Sequence, residues 1–174
     1  MKQKQASKRV YNPEALLRVA QLQVTSQGLH GVTEDGKTII DVHHPQHPQT
    51  RWRGDNPISL GFLPHYEQMR ARFGPHIADG LAGENIIIAC DGLPDVGREF
   101  FIENAEGQRI HLTQVIPAPP CAEFSAFCLG GTPSAGELRA ALEFLDGGRR
   151  GYYALPQLGE ARRFVCPGDV LYTV

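Results

Sequence analysis

No stretch of this chain is long and apolar enough to cross a bilayer, and its start, MKQKQASKRVYN, is basic without the apolar core of a secretory leader. The expected compartment is the cytoplasm, and no membrane partner is expected. A charge of one sign is missing too: 17 Lys and Arg against 19 Asp and Glu leave a net charge of −2. With neither half strongly basic, nothing favours nucleic acid as a partner. None of the four cysteines, Cys90, Cys121, Cys128 and Cys166, forms a CxxC pair. Structural zinc of the usual spacing is therefore not expected, and the thiols read as free in a reducing compartment. Gly80-Leu81-Ala82-Gly83 lacks the lysine of a P-loop and the spacing of a dinucleotide fingerprint, which argues against ATP and NAD. Internal repeats, heptads and low-complexity runs are absent.

What is present points to short strands. With 19 Gly and 13 Pro among 174 residues, turns recur too often for a helical bundle. Residues 1–11 read as a flexible tail and 12–174 as one domain. Alternation predicts strands at 18–25, 38–42, 56–62, 86–90, 152–155, 164–166 and 170–174, with Gly28, Gly31 and Gly36 punctuating loops. Glu99 to Glu103 and Arg109 to Ile116 form the clearest hairpin. Asn12-Pro13-Glu14 supports at most one helical turn. Two full helices are expected. One opens at Pro64 and runs to Phe73 with Tyr66, Met69 and Phe73 on one stripe. The other is capped by Ser134 and Glu137, carries Leu138, Ala141, Leu142 and Leu145 on one face, and ends at Gly147-Gly148. Eight to ten strands with two helices give a mainly β, barrel-like domain with peripheral helices.

Two stretches carry chemistry. In RIHLTQVIPAPPC (109–121) an alternating strand meets Pro117, Pro119 and Pro120, which cannot donate ladder hydrogen bonds, and delivers Cys121 on a constrained loop. A thiol at a strand end is a candidate nucleophile, although a free cysteine is more often a packed core residue. Cys128, seven residues on, is a candidate resolving thiol and again more often core. In HHPQHPQTRWRGDN (43–56) the prolines forbid a regular element. Arg51 and Arg53 on this exposed loop suit a small anionic ligand such as a carboxylate or phosphate. His43, His44 and His47 lack the carboxylate or thiol spacing of a metal site.

Several of these pieces, in order, resemble the MOSC domain, named from the C-terminal domain of molybdenum-cofactor sulfurases. They are Gly83-Glu84-Asn85 before an apolar strand, Asp91-Gly92 with Gly97, Thr113-Gln114, Pro120-Cys121, a helix, Gly151-Tyr152-Tyr153, and Pro167-Gly168-Asp169 before the last strand. The resemblance spans roughly residues 18–174. It implies a β-barrel-like fold and a sulfur-handling role. Cys121 would carry sulfur received from a pyridoxal-phosphate-dependent cysteine desulfurase, with pyridoxal phosphate entering only through that partner. Glu84 and Asn85 would be pocket residues beside Arg51 and Arg53. Members joined to molybdoenzymes act on or bind molybdenum cofactor (molybdopterin). Stand-alone YiiM-like members are linked to reduction of N-hydroxylated compounds, which makes a molybdenum-cofactor-dependent reductase the alternative; a non-catalytic anion or pterin-binding module is a third. Such members place an arginine just ahead of the Pro-Cys element. Here residues 115–119 hold no basic group, so Arg51 and Arg53 are the candidates to supply that charge.

Overall fold

The computed structural model describes residues 10–93, 95–157 and 164–173. Ten strands and three α-helices are present among them: β1 (Gln21–Thr25), β2 (Gly28–Val32), β3 (Thr38–Ile40), β4 (Ile58–Phe62), α1 (Leu63–Phe73), β5 (Ile86–Ile88), β6 (Phe100–Glu103), β7 (Arg109–Pro117), α2 (Ala122–Cys128), α3 (Ala135–Leu145), β8 (Tyr152–Gln157), β9 (Phe164–Val165) and β10 (Val170–Thr173). They form a four-stranded sheet, β3-β2-β1-β9, and a six-stranded sheet, β10-β6-β7-β8-β4-β5. Only β4 and β5 run parallel, because α1 lies between them as a crossover. The fold is mainly β and barrel-like.

Alternation builds the core between the sheets. Val24, Leu29 and Val165 from the smaller sheet meet Ile58, Leu60, Phe62, Phe100, Ile102, Ile110, Leu112, Val115 and Ala154 from the larger. A second cluster packs Tyr66 and Met69 of α1 against Phe124 and Cys128 of α2, Leu145 of α3, Ile77 and Ala82. Every residue of β4 is buried: its odd side faces the second sheet's helices and loops while Ile58, Leu60 and Phe62 fill the barrel. The capping box at Ser134–Glu137 is formed, and Asn12 caps a single 3-10 turn at Pro13–Ala15.

Several expectations are corrected. Gly28 and Gly31 do not punctuate a loop but belong to β2, which pairs with β1 from Thr25↔Gly28 to Gln21↔Val32. A glycine is needed at 31 because a Cβ there would meet Val19 Cγ1 at 2.8 Å. Helix α2 was not foreseen; the run AEFSAFC is short, and burial of Phe124 and Cys128 one turn apart holds it. The two strands expected around the turn 167–169 are present and join different sheets, β9 pairing with β1 and β10 with β6. Alternation along β7 breaks at a bulge between Thr113 and Ile116, where Gln114 adopts φ 50° and Val115 turns inward. Tyr11, assigned to the tail, packs edge-on against Phe124 and donates to the Leu81 carbonyl; residues 1–9 of that tail lie outside the described residues. Loop 43–56 is anchored rather than wholly exposed, with His44 and Asn56 buried and His44 lying 4.9 Å from the His30 ring.

Candidate active site

The β4–β8 register sets Ser59 opposite Tyr153 and Leu60 opposite Tyr152, so one further step sets Gly61 opposite Gly151. Ser59, Gly61, Tyr153 and Gly151 therefore share the face turned away from the barrel core. The two glycines make a floor, and the Glu84 carboxyl lies on it. A Cβ at Gly61 would stand 3.0 Å from Glu84 Oε1, and one at Gly151 would stand 3.2 Å from it.

Segment 81–85 delivers that carboxyl, and nearly every residue of it is tied down. Tyr11 bonds the Leu81 carbonyl. The Ala82 N–H donates to the Tyr66 hydroxyl at 3.0 Å, and that hydroxyl donates to Glu84 Oε2. Arg150 Nη2 donates to the Ala82 carbonyl at 3.1 Å. Glu84 Oε1 and Arg150 Nε are both sealed from solvent without a hydrogen-bond partner.

The electrostatics follow from burial. Burial pushes the Glu84 acid up to about 7, against the opposing pull of the Tyr66 bond and the Arg150 charge. Tyr66 and Tyr11 are both held protonated, first by burial and then by Glu84. Burial works against the charge on Arg150, but Tyr153, Glu84, Cys121 and Tyr11 around it outweigh that and keep it a cation. A buried acid that titrates near neutrality close to a fixed cation is a combination found at functional sites.

Cys121 sits half-buried at the start of α2, at the edge of the second cluster, with its carbonyl accepting from Ser125 N–H and Oγ. The cation coupled to it is Arg150. Sequence reasoning passed over this residue, reading Gly147-Gly148 as a helix stop and Gly151-Tyr152-Tyr153 as part of the resemblance, with neither arginine between them singled out. The available signal was two arginines between glycines, directly before Tyr152-Tyr153. The pair divides its work: Arg149 donates to the Phe144 carbonyl at the end of α3 and lies 4.5 Å over the Phe144 ring, while Arg150 turns into the site.

The other candidates are placed as follows. Arg53 lies 5.3 Å over the Tyr153 ring and 3.5 Å from Asp55, so it stands on the same sheet face as Glu84. Arg51 is exposed, and its backbone, not its guanidinium, ties the loop: its N–H bonds Val42 and its carbonyl accepts from Asn56. Asn85 is a clamp. Its Oδ1 accepts from Ser59 N–H at 2.9 Å and Ser59 Oγ at 2.8 Å, and its Nδ2 donates to Asp41 Oδ2 at 2.9 Å. Burial opposes the Asp41 charge, yet the bonds from His43 and Asn85 hold its carboxyl below the ordinary value. Asn85→Ala, which orphans a buried N–H, is expected to cost ~2 kcal/mol in urea unfolding; a loss no larger than that of a surface substitution would remove the clamp.

Cys128 does not serve as a resolving thiol in this conformation. Seven residues of helical rise separate it from Cys121 by roughly 10 Å, beyond the span of a disulfide. Burial, with Cys121 adding to it, pushes its thiol up to about 12. Among the described residues no three His, Cys, Asp or Glu side chains are placed to hold a metal ion.

No family model matches the sequence, and no curated protein does. Among solved structures the chain is similar to the YuaD protein from Bacillus subtilis, with a TM-score of 0.55 and 14% identity over 89% of this chain and 85% of that one. At that identity the likeness is one of fold.

Proposed function

We propose that the chain is a MOSC-type sulfur carrier in which Cys121 accepts a sulfane sulfur and passes it on. The observation that supports the reading is the packing of half-buried Cys121 against the cluster of Tyr66, Ala82 and Phe124, where Arg150 bonds the Ala82 carbonyl and Tyr66 bonds the buried Glu84 carboxyl. A carrier attacks as the thiolate, and Arg150 is the cation in this cluster that would pair with it. The Cys121 thiolate attacks the outer sulfur of a donor persulfide, R–S–SH. The bond between that sulfur and R–S breaks, Cys121–S–SH forms, and R–S⁻ leaves on the donor, so no external oxidant or reductant is required. Glu84 is the local group able to take or return a proton at neutral pH. The donor is a pyridoxal-phosphate-dependent cysteine desulfurase, and the acceptor is a molybdoenzyme or its cofactor.

A second reading, binding of molybdopterin for a reductase of N-hydroxylated compounds, is favoured by Arg53, whose guanidinium on the same face suits a phosphate. Cys121 would then offer a thiolate to the metal. Incubation with a cysteine desulfurase and free cysteine separates the readings by intact mass. Wild type should gain one sulfur, reversibly to reductant; Cys121→Ser should gain none, and Arg150→Met should gain it at least tenfold more slowly. Equal gain in wild type and Cys121→Ser excludes Cys121 as the carrier, and no gain with molybdenum copurifying moves the weight to cofactor binding.

A further inference from the structure

The bulge in β7 opens a groove of about 730 Å³ lined by Arg98, Glu99, Gln114, Ile116, Pro117 and Gln157 among others. That volume is within the range of small-molecule sites. Its walls divide by chemistry. Ile116 and Pro117 make an apolar side, and Ile116 leaves 38% of its surface in solvent. Arg98 also lines it, and its guanidinium has no acidic partner among the described residues. The groove's one carboxylate, Glu99, is engaged: His111 bridges it at 2.8 Å to Gln157 Oε1 at 2.9 Å, stacked on Phe101. The remaining donors, the Arg98 guanidinium, the Gln114 amide and the Nε2 of Gln157, have no competing anion.

Gln114 sits at the bulge and is re-aimed by it toward the groove. It is the one non-glycine residue with positive φ among those described, at 50°, where glycine would be relaxed. Its side chain is exposed and fills no core. Bulges re-aim side chains, and here the bulge turns an exposed amide to the groove with a glutamine where glycine would be relaxed. We infer that this groove is a second ligand site, taking a small organic carboxylate whose apolar arm lies on Ile116 and Pro117 while its carboxylate meets Arg98 and Gln114. The assignment is independent of Cys121 chemistry.

The test is amide NMR titration of the full chain with sodium hexanoate, against acetate and hexylamine. Hexanoate should shift Gln114, Val115, Ile116 and Gln157 saturably, acetate should bind more weakly, and hexylamine should not shift them. Arg98→Gln should weaken hexanoate about tenfold. Gln114→Gly should weaken it several-fold while leaving the unfolding midpoint equal or higher, because the strain is relieved. Shifts confined to other regions, equal binding of hexylamine, or undiminished affinity in Arg98→Gln overturns the site. A lower midpoint in Gln114→Gly overturns the claim that the glutamine is held there for a ligand.

Discussion

Gly151→Ala is expected to be among the most damaging single methyl groups that can be added to this protein, costing about 4 kcal/mol in urea unfolding. Two effects add. The residue sits at φ 121°, where an L side chain is strained, and its new Cβ would stand 2.6 Å from the Leu60 carbonyl oxygen. That oxygen cannot yield, because β4 is paired with β8 on one side and β5 on the other. The Glu84 carboxyl, at 3.2 Å, is pushed at the same time. Gly107→Ala supplies the comparison: φ is 75° with nothing within 4 Å of the added carbon, so only backbone strain of ~1 kcal/mol is expected. Gly61→Ala separates the site from the backbone. Its Cβ meets Glu84 Oε1 and Ile87 Cδ1 at 3.0 Å, so its cost should fall when Glu84 is also shortened to alanine. Additive losses, or a Gly151→Ala no worse than Gly107→Ala, would mean the carboxyl does not rest on that floor.

The glycine floor also marks what the sequence could and could not convey. Period-two alternation is a local signal, and it placed the strands at Thr38, Ile58, Phe100, Arg109, Tyr152 and Val170 within a few residues. It failed where strand pairing chose the conformation: Gly28 and Gly31 are strand residues because β2 pairs with β1, and the β7 bulge reverses which of Gln114 and Val115 faces inward. The candidate site was half legible. Cys121 and Glu84 stand out by type and setting, but Arg150 lies 29 residues beyond the cysteine and 66 beyond the acid in sequence. Folding brings it to the segment that carries Glu84, where it bonds the Ala82 carbonyl. The arginines chosen for their exposure serve other ends, Arg51 through its backbone and Arg53 on Tyr153.

Glu84→Gln is expected to stabilise the protein at pH 8 relative to wild type. The folded carboxyl titrates at about 7, against an ordinary value of 4.5. Below pH 4.5 both native and unfolded chains hold the proton. Between 4.5 and 7 the native chain holds it and the unfolded chain does not, so stability declines as pH rises, by ~3 kcal/mol once pH has passed the folded value. The amide mimics the protonated acid and carries no such slope. Buried His44 and His65 act the other way: burial lowers both, with His30 also lowering His44 and Arg149 His65, so their contribution weakens as pH falls. They are common to both proteins, and the difference between the two pH–stability curves removes them. That difference should be flat below pH 4.5, change by ~3 kcal/mol up to pH 8, and favour glutamine at the alkaline end. Parallel curves would show that the carboxyl ionises as freely folded as unfolded, and would remove it as the proton-handling partner of Cys121. The predicted divergence has a functional meaning. A residue whose amide would make the protein more stable at neutral pH is held there at a cost to the fold, which is what a carboxyl used for its proton requires.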